Sequence, residues 1–259
     1  IIPTAKSVLR GLFKMHQETL SLSDIVLVQT SLEAKDLLNT YKVDFKWKIV
    51  PNGVSENFLD SKAWENSTEN PLGIKDYLIC VGRVEPRKNQ LSVIEAVSML
   101  RQELNLDLHL VFVGKKSESK HHSYASLFAQ ALKKNPWIHH VEFVPYNEMP
   151  LYYHLAKVGI SASWFETTGL TSLEALFCGA NAVATGDRVR ECLGNLAFYC
   201  SPESVFSIKE AIKEAYFAPF PKIPEKMKKL YTWKNVGLET QKVYESLIRE
   251  DQVKLGAAN

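Results

Sequence analysis

The chain has no Asp-x-Asp pair, no Gly-x-Gly-x-x-Gly run, no Walker lysine motif and no Cys-x-x-Cys. The first absence removes a common carboxylate anchor for a divalent ion beside a diphosphate. The second weakens a dehydrogenase reading, and the third removes the P-loop phosphate cradle. The four cysteines, Cys80, Cys178, Cys192 and Cys200, are scattered and read as reduced thiols rather than disulfides or zinc ligands. His121-His122 and His139-His140 are adjacent rather than one helical turn apart, so they build no metal face and read as surface or loop residues. No apolar run reaches bilayer length. A net charge of +2 leaves no nucleic-acid footprint. With no visible secretory leader and an ordinary 46% hydrophobic, 23% charged composition, the expected setting is cytoplasmic.

What is present is a pair of carboxylates eight residues apart, in Trp164-Phe165-Glu166-Thr167-Thr168-Gly169-Leu170-Thr171-Ser172-Leu173-Glu174-Ala175. Val158 to Phe165 is apolar or small throughout and reads as a strand buried on both faces. Leu170, Leu173 and Leu176-Phe177 recur at helical spacing. Glu166 is therefore expected at the carboxyl end of a parallel strand, where open α/β sheets bind ligands. The next helix would aim unpaired N–H groups and the positive end of its dipole at the same place, which suits an anion. Two plainer readings compete. Thr171-x-x-Glu174 matches a capping box, and Glu166 fits a solvated loop.

Upstream, Gly82-Arg83-Val84-Glu85-Pro86-Arg87-Lys88-Asn89 follows the apolar strand Tyr77 to Val81 and precedes a helical pattern at Leu91, Ile94, Val97 and Leu100. Arg83 and Lys88 thus sit in a βα turn. A guanidinium fork and a point-charge ammonium together suit a diphosphate. The alternative is a charged loop in which Glu85 pairs with Arg87 or Lys88.

Further strands are expected at Leu108 to Val113, Val141 to Val144, Val158 to Trp164, Asn181 to Thr185 and Ala197 to Cys200, separated by helical patterns. That alternation predicts α/β architecture with a parallel, doubly wound, Rossmann-like sheet of about six strands. Before it, Val8 to Leu22 reads as a helix, Asp24 to Gln29 as a strand, and Thr30-Ser31-Leu32-Glu33 as a capping box opening a helix to Tyr41.

The Gly82-Arg83 to Lys88 cluster and the Glu166-x7-Glu174 stretch together resemble the donor half of the retaining glycosyltransferases of family 4, two-domain enzymes of the GT-B fold. Val50-Pro51-Asn52-Gly53-Val54, Leu110 to Gly114, Val141-Glu142-Phe143, Tyr153-x-x-Ala156 and Glu174 to Gly179 followed by Ala182 to Thr185 extend the likeness from about Ser23 onward. Two departures stand out. Thr167-Thr168-Gly169 replaces a usual Phe-Gly, and Gly186-Asp187-Arg188-Val189-Arg190-Glu191 is unusually charged.

The resemblance implies that residues 1–50 are the tail of an N-terminal acceptor domain, with the rest of that domain missing, and that residues 51–259 are a C-terminal nucleotide-sugar-binding domain with a closing helix over 233–250. It implies transfer of a hexose, of the mannose type, with retention, from a nucleoside-diphosphate sugar to a saccharide or lipid-linked acceptor. For a lipid-linked acceptor the setting extends to peripheral association with the cytoplasmic face of a membrane. Glu174 would bind the ribose diol, and Arg83 and Lys88 the diphosphate. Backbone amides of Gly169, Leu170 and Thr171 would hold the distal phosphate or sugar. Backbone at Val144, Pro145 and Tyr146 would take the base edge, and Thr167 and Thr168 would add hydroxyls beside the sugar. Glu166 would contact sugar hydroxyls and stabilise the positive transition state. No metal or other cofactor is expected, because cations and helix amides can stabilise the leaving group. Two other classes remain open: a non-catalytic sugar-nucleotide-binding or scaffold module, and a GT-B epimerase or phosphorylase.

Overall fold

The computed structural model describes residues 5–60, 64 and 70–257. By contact the chain divides into two compact units, residues 1–53 with 233–259, and Val54–Thr232. The chain-order division ran 51–259 as one domain; by contact the closing helix groups instead with the first 53 residues.

The first unit holds helix α1 (Ala5–Leu22), strand β1 (Val26–Val28), helix α2 (Ser31–Tyr41), strand β2 (Trp47–Ile49) and the closing helix (Trp233–Ala257). β1 and β2 pair in parallel. α2 starts where the sequence says it should: Thr30 is extended, its Oγ1 accepts from the Glu33 amide at 3.1 Å, and the Glu33 carboxylate accepts from the Gln29 amide at 2.7 Å. These contacts satisfy donors that a bare helix start leaves open. Lys46 and Lys48 pair with Glu250 and Glu239 of the closing helix at 3.3 and 3.6 Å.

The second unit alternates β3 (Tyr77–Val81), α3 (Gln90–Leu104), β4 (His109–Val113), α4 (Glu118–Lys134), β5 (Ile138–Val141), α5 (Met149–His154), β6 (Val158–Ile160), α6 (Leu170–Phe177), β7 (Asn181–Ala184), α7 (Asp187–Leu193), β8 (Phe198–Tyr199), α8 (Val205–Phe217) and α9 (Glu225–Leu230). All six strands pair in parallel in the order β5-β4-β3-β6-β7-β8. The chain winds outward from β3 to β5, then returns to the other side of β3. This is the Rossmann-like doubly wound sheet the sequence predicts. The reversal between β3 and β6 opens a crevice at their carboxyl ends.

Why β3 reads as an unbroken apolar run follows from its two covered faces. Tyr77 and Ile79 pack with Val111, Tyr153, Leu173 and Leu176, whereas Leu78 and Cys80 pack with Leu110, Phe112, Val97 and Ile208. Each fully buried aliphatic side chain contributes about 1.5–3 kcal/mol. Among the cysteines, Cys80, Cys178 and Cys200 are buried, Cys192 is half-buried, and all four are free thiols.

Two expected strands end elsewhere. β5 covers Ile138–Val141, not Val141 to Val144. The Leu110 amide bonds to Trp137 O and the Gly114 amide to Val141 O, so the histidines expected on a loop lie in the ladder. His139 meets His109 at 2.9 Å, and His140 contacts Gly114 O at 2.8 Å. β6 stops at Ile160, although the Ser161 amide still donates to Val183 O of β7 at 2.9 Å, and Ser161, Ala162 and Ser163 stay buried.

α3 and α8 are joined by charge. Glu103 of α3 accepts from Lys209, which is buried, and from Lys213 at 2.5 Å, and Lys209 also pairs with Glu210 at 2.6 Å. These cations hold the Glu103 carboxyl down at about 2. A depressed folded pKa adds stability above the unfolded value near 4.5, and that stability disappears as pH falls toward 2. Glu103→Gln is therefore expected to lower the melting temperature at pH 7, with the gap to the parent chain closing by about pH 2–3. Melting curves across that range check it; an equal gap at both ends would mean the carboxylate charge contributes nothing.

Candidate functional site

The crevice between β3 and β6 gathers the two motifs. After β3, Gly82 takes φ 144°, and a Cβ there would lie 3.2 Å from Lys88 Cε. The bare glycine lets the lysine stem pass over the strand end. A short turn at Pro86–Lys88 follows, closed by the Lys88 amide on Glu85 O at 3.0 Å, and Asn89 is left-handed with φ 59°. Buried polar bonds fix this loop from below: Gln90 Nε2 donates to Arg83 O at 2.8 Å, Tyr124 Oη to Gln90 Oε1 at 3.1 Å, and Asn89 Nδ2 to Pro202 O at 2.8 Å.

Beyond β6 the chain crosses back toward that loop. The Trp164 amide donates to Arg87 O at 2.9 Å, and Thr185 Oγ1 donates to Ser163 O at 2.6 Å. Lys88 Nζ donates to the Glu166 carboxylate, with both side chains largely buried at 15% and 16% exposure. Arg87 Nη1 donates to Phe165 O at 3.0 Å and stands 3.8 Å from Glu166 Oε1. Arg87 also pairs with Glu85 at 3.1 Å. The Arg83 side chain, by contrast, is 69% exposed and among the described residues reaches only Glu85, at 3.8 Å. The structure thus brings Lys88 and Glu166 together and leaves Arg83 at the rim. The pairing of Glu85 with Arg87, weighed in the sequence as an alternative, is also present.

Thr167 is half-buried, Thr168 is buried, and Gly169 caps α6 in the left-handed region at φ 71°. A Cβ on Gly169 would meet Val189 Cγ1 of α7 at 2.7 Å, so only glycine fits. Arg188, from the charged stretch after β7, lies over the Phe165 ring at 4.8 Å. The first turn of α6 carries Leu170, Thr171 and Ser172, and Ser172 Oγ is buried without a hydrogen-bond partner among the described residues. The Ser172 and Leu173 amides donate to Gly169 O at 3.0 Å, whereas those of Leu170 and Thr171 have no acceptor within their own helix, so the crevice receives N–H donors and the positive end of the helix.

Glu174 lies one turn further on. It is not a cap: α6 begins at Leu170 with Gly169 as its N-cap, which places Thr171 inside the helix rather than before it. The carboxylate instead accepts from Tyr146 Oη and Tyr153 Oη, each at 3.1 Å. Both rings pack on Phe58, at 5.2 and 6.1 Å between centroids. Burial pushes the Glu174 carboxyl up to about 7, and the two phenol donors offset part of that rise. Val144 is buried in the core, and the Pro145 carbonyl accepts from the Glu148 and Met149 amides at 2.9 and 3.2 Å. Tyr146 is the member of this trio that reaches the site, through its hydroxyl. Among the described residues no group of three His, Cys, Asp or Glu could hold a metal, and no helix is long and apolar enough to cross a membrane.

Sequence reasoning missed Arg87 as a bridge and Tyr153 as a partner of Glu174. Arg87 was visible as a charge but not in its direction. Tyr153 stood out only in the Tyr153-x-x-Ala156 likeness, and nothing in the local sequence pairs it with Glu174.

At the strand-order reversal a basic loop lies on one side, and an acidic loop running into a helix start on the other. The family model for glycosyl transferases group 1 matches residues 62–230, and the chain belongs to that family. It is 29% identical over 167 residues to D-inositol 3-phosphate glycosyltransferase of Arthrobacter sp. (strain FB24), covering 62% of this chain and 39% of that protein. It is 25% identical over 145 residues to O-antigen chain mannosyltransferase B of Escherichia coli, covering 56% and 38%. Sucrose-phosphate synthase from Thermosynechococcus elongatus superposes with a TM-score of 0.74 at 18% identity, over 93% of this chain and 62% of that one. The chain shares the fold of that structure, and it spans about two fifths of the length of the curated relatives it matches.

Proposed function

We propose that the chain binds a nucleoside-diphosphate hexose and, within its whole protein, transfers the hexose with retention to a saccharide or lipid-linked acceptor. What supports this reading most is the meeting of Lys88, Glu166 and the start of α6 at the strand-order reversal, with Glu174 one turn behind. Cation and helix start suit a diphosphate. Glu174, held between two phenols, suits a diol, because a carboxylate accepts from vicinal hydroxyls in the way it now accepts from Tyr146 and Tyr153.

In this reading Lys88 holds the diphosphate and Arg83 adds charge from the rim. The amides of Gly169, Leu170 and Thr171 take the distal phosphate or sugar, and Val144 to Tyr146 flank the base. Thr167 and Thr168 lie beside the sugar. Glu166 accepts from sugar hydroxyls and stabilises positive charge at the anomeric carbon as the diphosphate departs. Departure leaves negative charge on the phosphate oxygens, which Lys88 and the helix start stabilise without a metal. A mannose-type sugar is the specific donor proposed, in line with the mannosyltransferase named among the relatives.

The test is a melting-temperature screen of the chain against nucleoside diphosphates and their sugars. A specific nucleoside diphosphate is expected to stabilise the fold by ~1–3 kcal/mol at large excess over its Kd, following mass action. No stabilisation by any of them at millimolar concentration would overturn the reading.

A further inference from the structure

We infer that Arg87 is a positioning residue that keeps Glu166 in place when a ligand phosphate draws Lys88 away; the inference rests on the donor-site reading above. Glu166 has two cationic neighbours of different kinds. Lys88 reaches it through a four-carbon stem that passes close over Gly82 and ends in a single ammonium. Arg87 is tied at several points. Its guanidinium is held by the Glu85 carboxylate at 3.1 and 3.2 Å and donates to Phe165 O at 3.0 Å, while its own carbonyl accepts from the Trp164 amide at 2.9 Å. Glu85 is itself buried, so the anchor behind Arg87 is fixed.

The chemistry of the two cations points the same way. A guanidinium offers five donors in a rigid fork and can serve Glu85, Phe165 O and Glu166 together, whereas an ammonium is a single mobile charge. Arriving phosphate therefore competes for Lys88 and leaves the Arg87 bridge intact. Without Arg87, the departure of Lys88 would deprive Glu166, whose side chain is only 16% exposed, of both cations that pair with it among the described residues. The 164–166 segment would then lose both its main-chain clamp at Phe165 and the orientation of its carboxylate. Arg87 contacts the loop that carries Glu166, not the ligand, so its loss is expected to separate sugar recognition from diphosphate binding.

Arg87→Met and Arg87→Lys, compared by calorimetry with uridine and guanosine diphosphates and their hexose conjugates, give one arm of the test. Arg87→Met is expected to bind the free diphosphate within about twofold of the parent but to lose about tenfold in affinity for the sugar conjugate, with partial recovery in Arg87→Lys. Equal loss for both ligands would make Arg87 a phosphate ligand and overturn the inference, as would no loss for either. The second arm needs no ligand: amide hydrogen exchange over residues 164–168 is expected to rise about tenfold in Arg87→Met and to stay unchanged in Arg83→Met. Unchanged exchange in Arg87→Met would overturn the positioning role. If exchange rises but the parent chain binds no diphosphate, the donor-site reading fails, and with it the exchange of Lys88, while the clamp on the loop stands.

Discussion

Lys88→Met is expected to weaken nucleoside-diphosphate binding by about 10- to 100-fold, roughly the 1.5–3 kcal/mol carried by hydrogen bonds to charged groups. Methionine keeps the length of the stem that passes Gly82 and removes only the charge and its donors. Arg83→Met is expected to cost far less, because that side chain is 69% exposed and solvent screens its field. The order of the two effects is a structural result, since the sequence ranks Arg83 and Lys88 alike. A second consequence separates binding from folding. Losing Lys88 leaves Glu166 with Arg87 at 3.8 Å, so the variant is expected to melt only a few degrees lower. Calorimetric titration alongside a melting curve decides the matter. A folded Lys88→Met chain that binds diphosphate as tightly as its parent would remove Lys88 from the site.

The same comparison of Lys88 with Arg83 shows how far the sequence alone reaches. Periodicity and apolar runs locate β3 and the capping box of α2, because both depend on residues adjacent in the chain. They also put the two site loops after strands. Edge strand β5 was placed three residues late. Ile138-His139-His140-Val141 looks polar, while the next residues alternate like a strand, and what draws the histidines into the ladder is β4: His109 covers His139 and Gly114 O holds His140. Thr171-x-x-Glu174 imitates a capping box. The helix start is decided by Gly169, the glycine between the two carboxylates, in the left-handed backbone that glycine takes most readily.

Partners brought by the fold were illegible for a simple reason of distance. Tyr146 and Tyr153 reach Glu174 across 28 and 21 residues, and Arg87 reaches Phe165 across 78. A short-range pattern carries no information on such contacts. It does carry the chemistry each residue brings, which is why the candidate residues gather at one crevice while the directions of their side chains had to be seen.

Glu174→Gln is expected to change two pH profiles in opposite senses. The carboxyl titrates near 7 in the folded chain, against 4.5 ordinarily, because burial disfavours its charge. Between those values the folded chain holds a proton that the unfolded chain has released. Stability therefore falls as pH rises from about 4.5 to 7, by an amount on the order of 3 kcal/mol, and stays low above that. Gln keeps the shape and cannot ionise, so the variant is expected to match its parent near pH 5 and exceed it in melting temperature at pH 8. Ligand binding runs the other way. If Glu174 accepts from ribose hydroxyls, the ionised form is the stronger acceptor, and affinity for a nucleotide sugar should climb through pH 7 in the parent. In Glu174→Gln it should be about 10- to 100-fold weaker at pH 8 and flat with pH. The sugar conjugate is the right probe, since its diesterified phosphates do not titrate in this range while the terminal phosphate of a free diphosphate does. A variant that gained stability at pH 8 yet bound the conjugate as its parent does would leave Glu174 a buried acid between two tyrosines with no part in recognising the ribose.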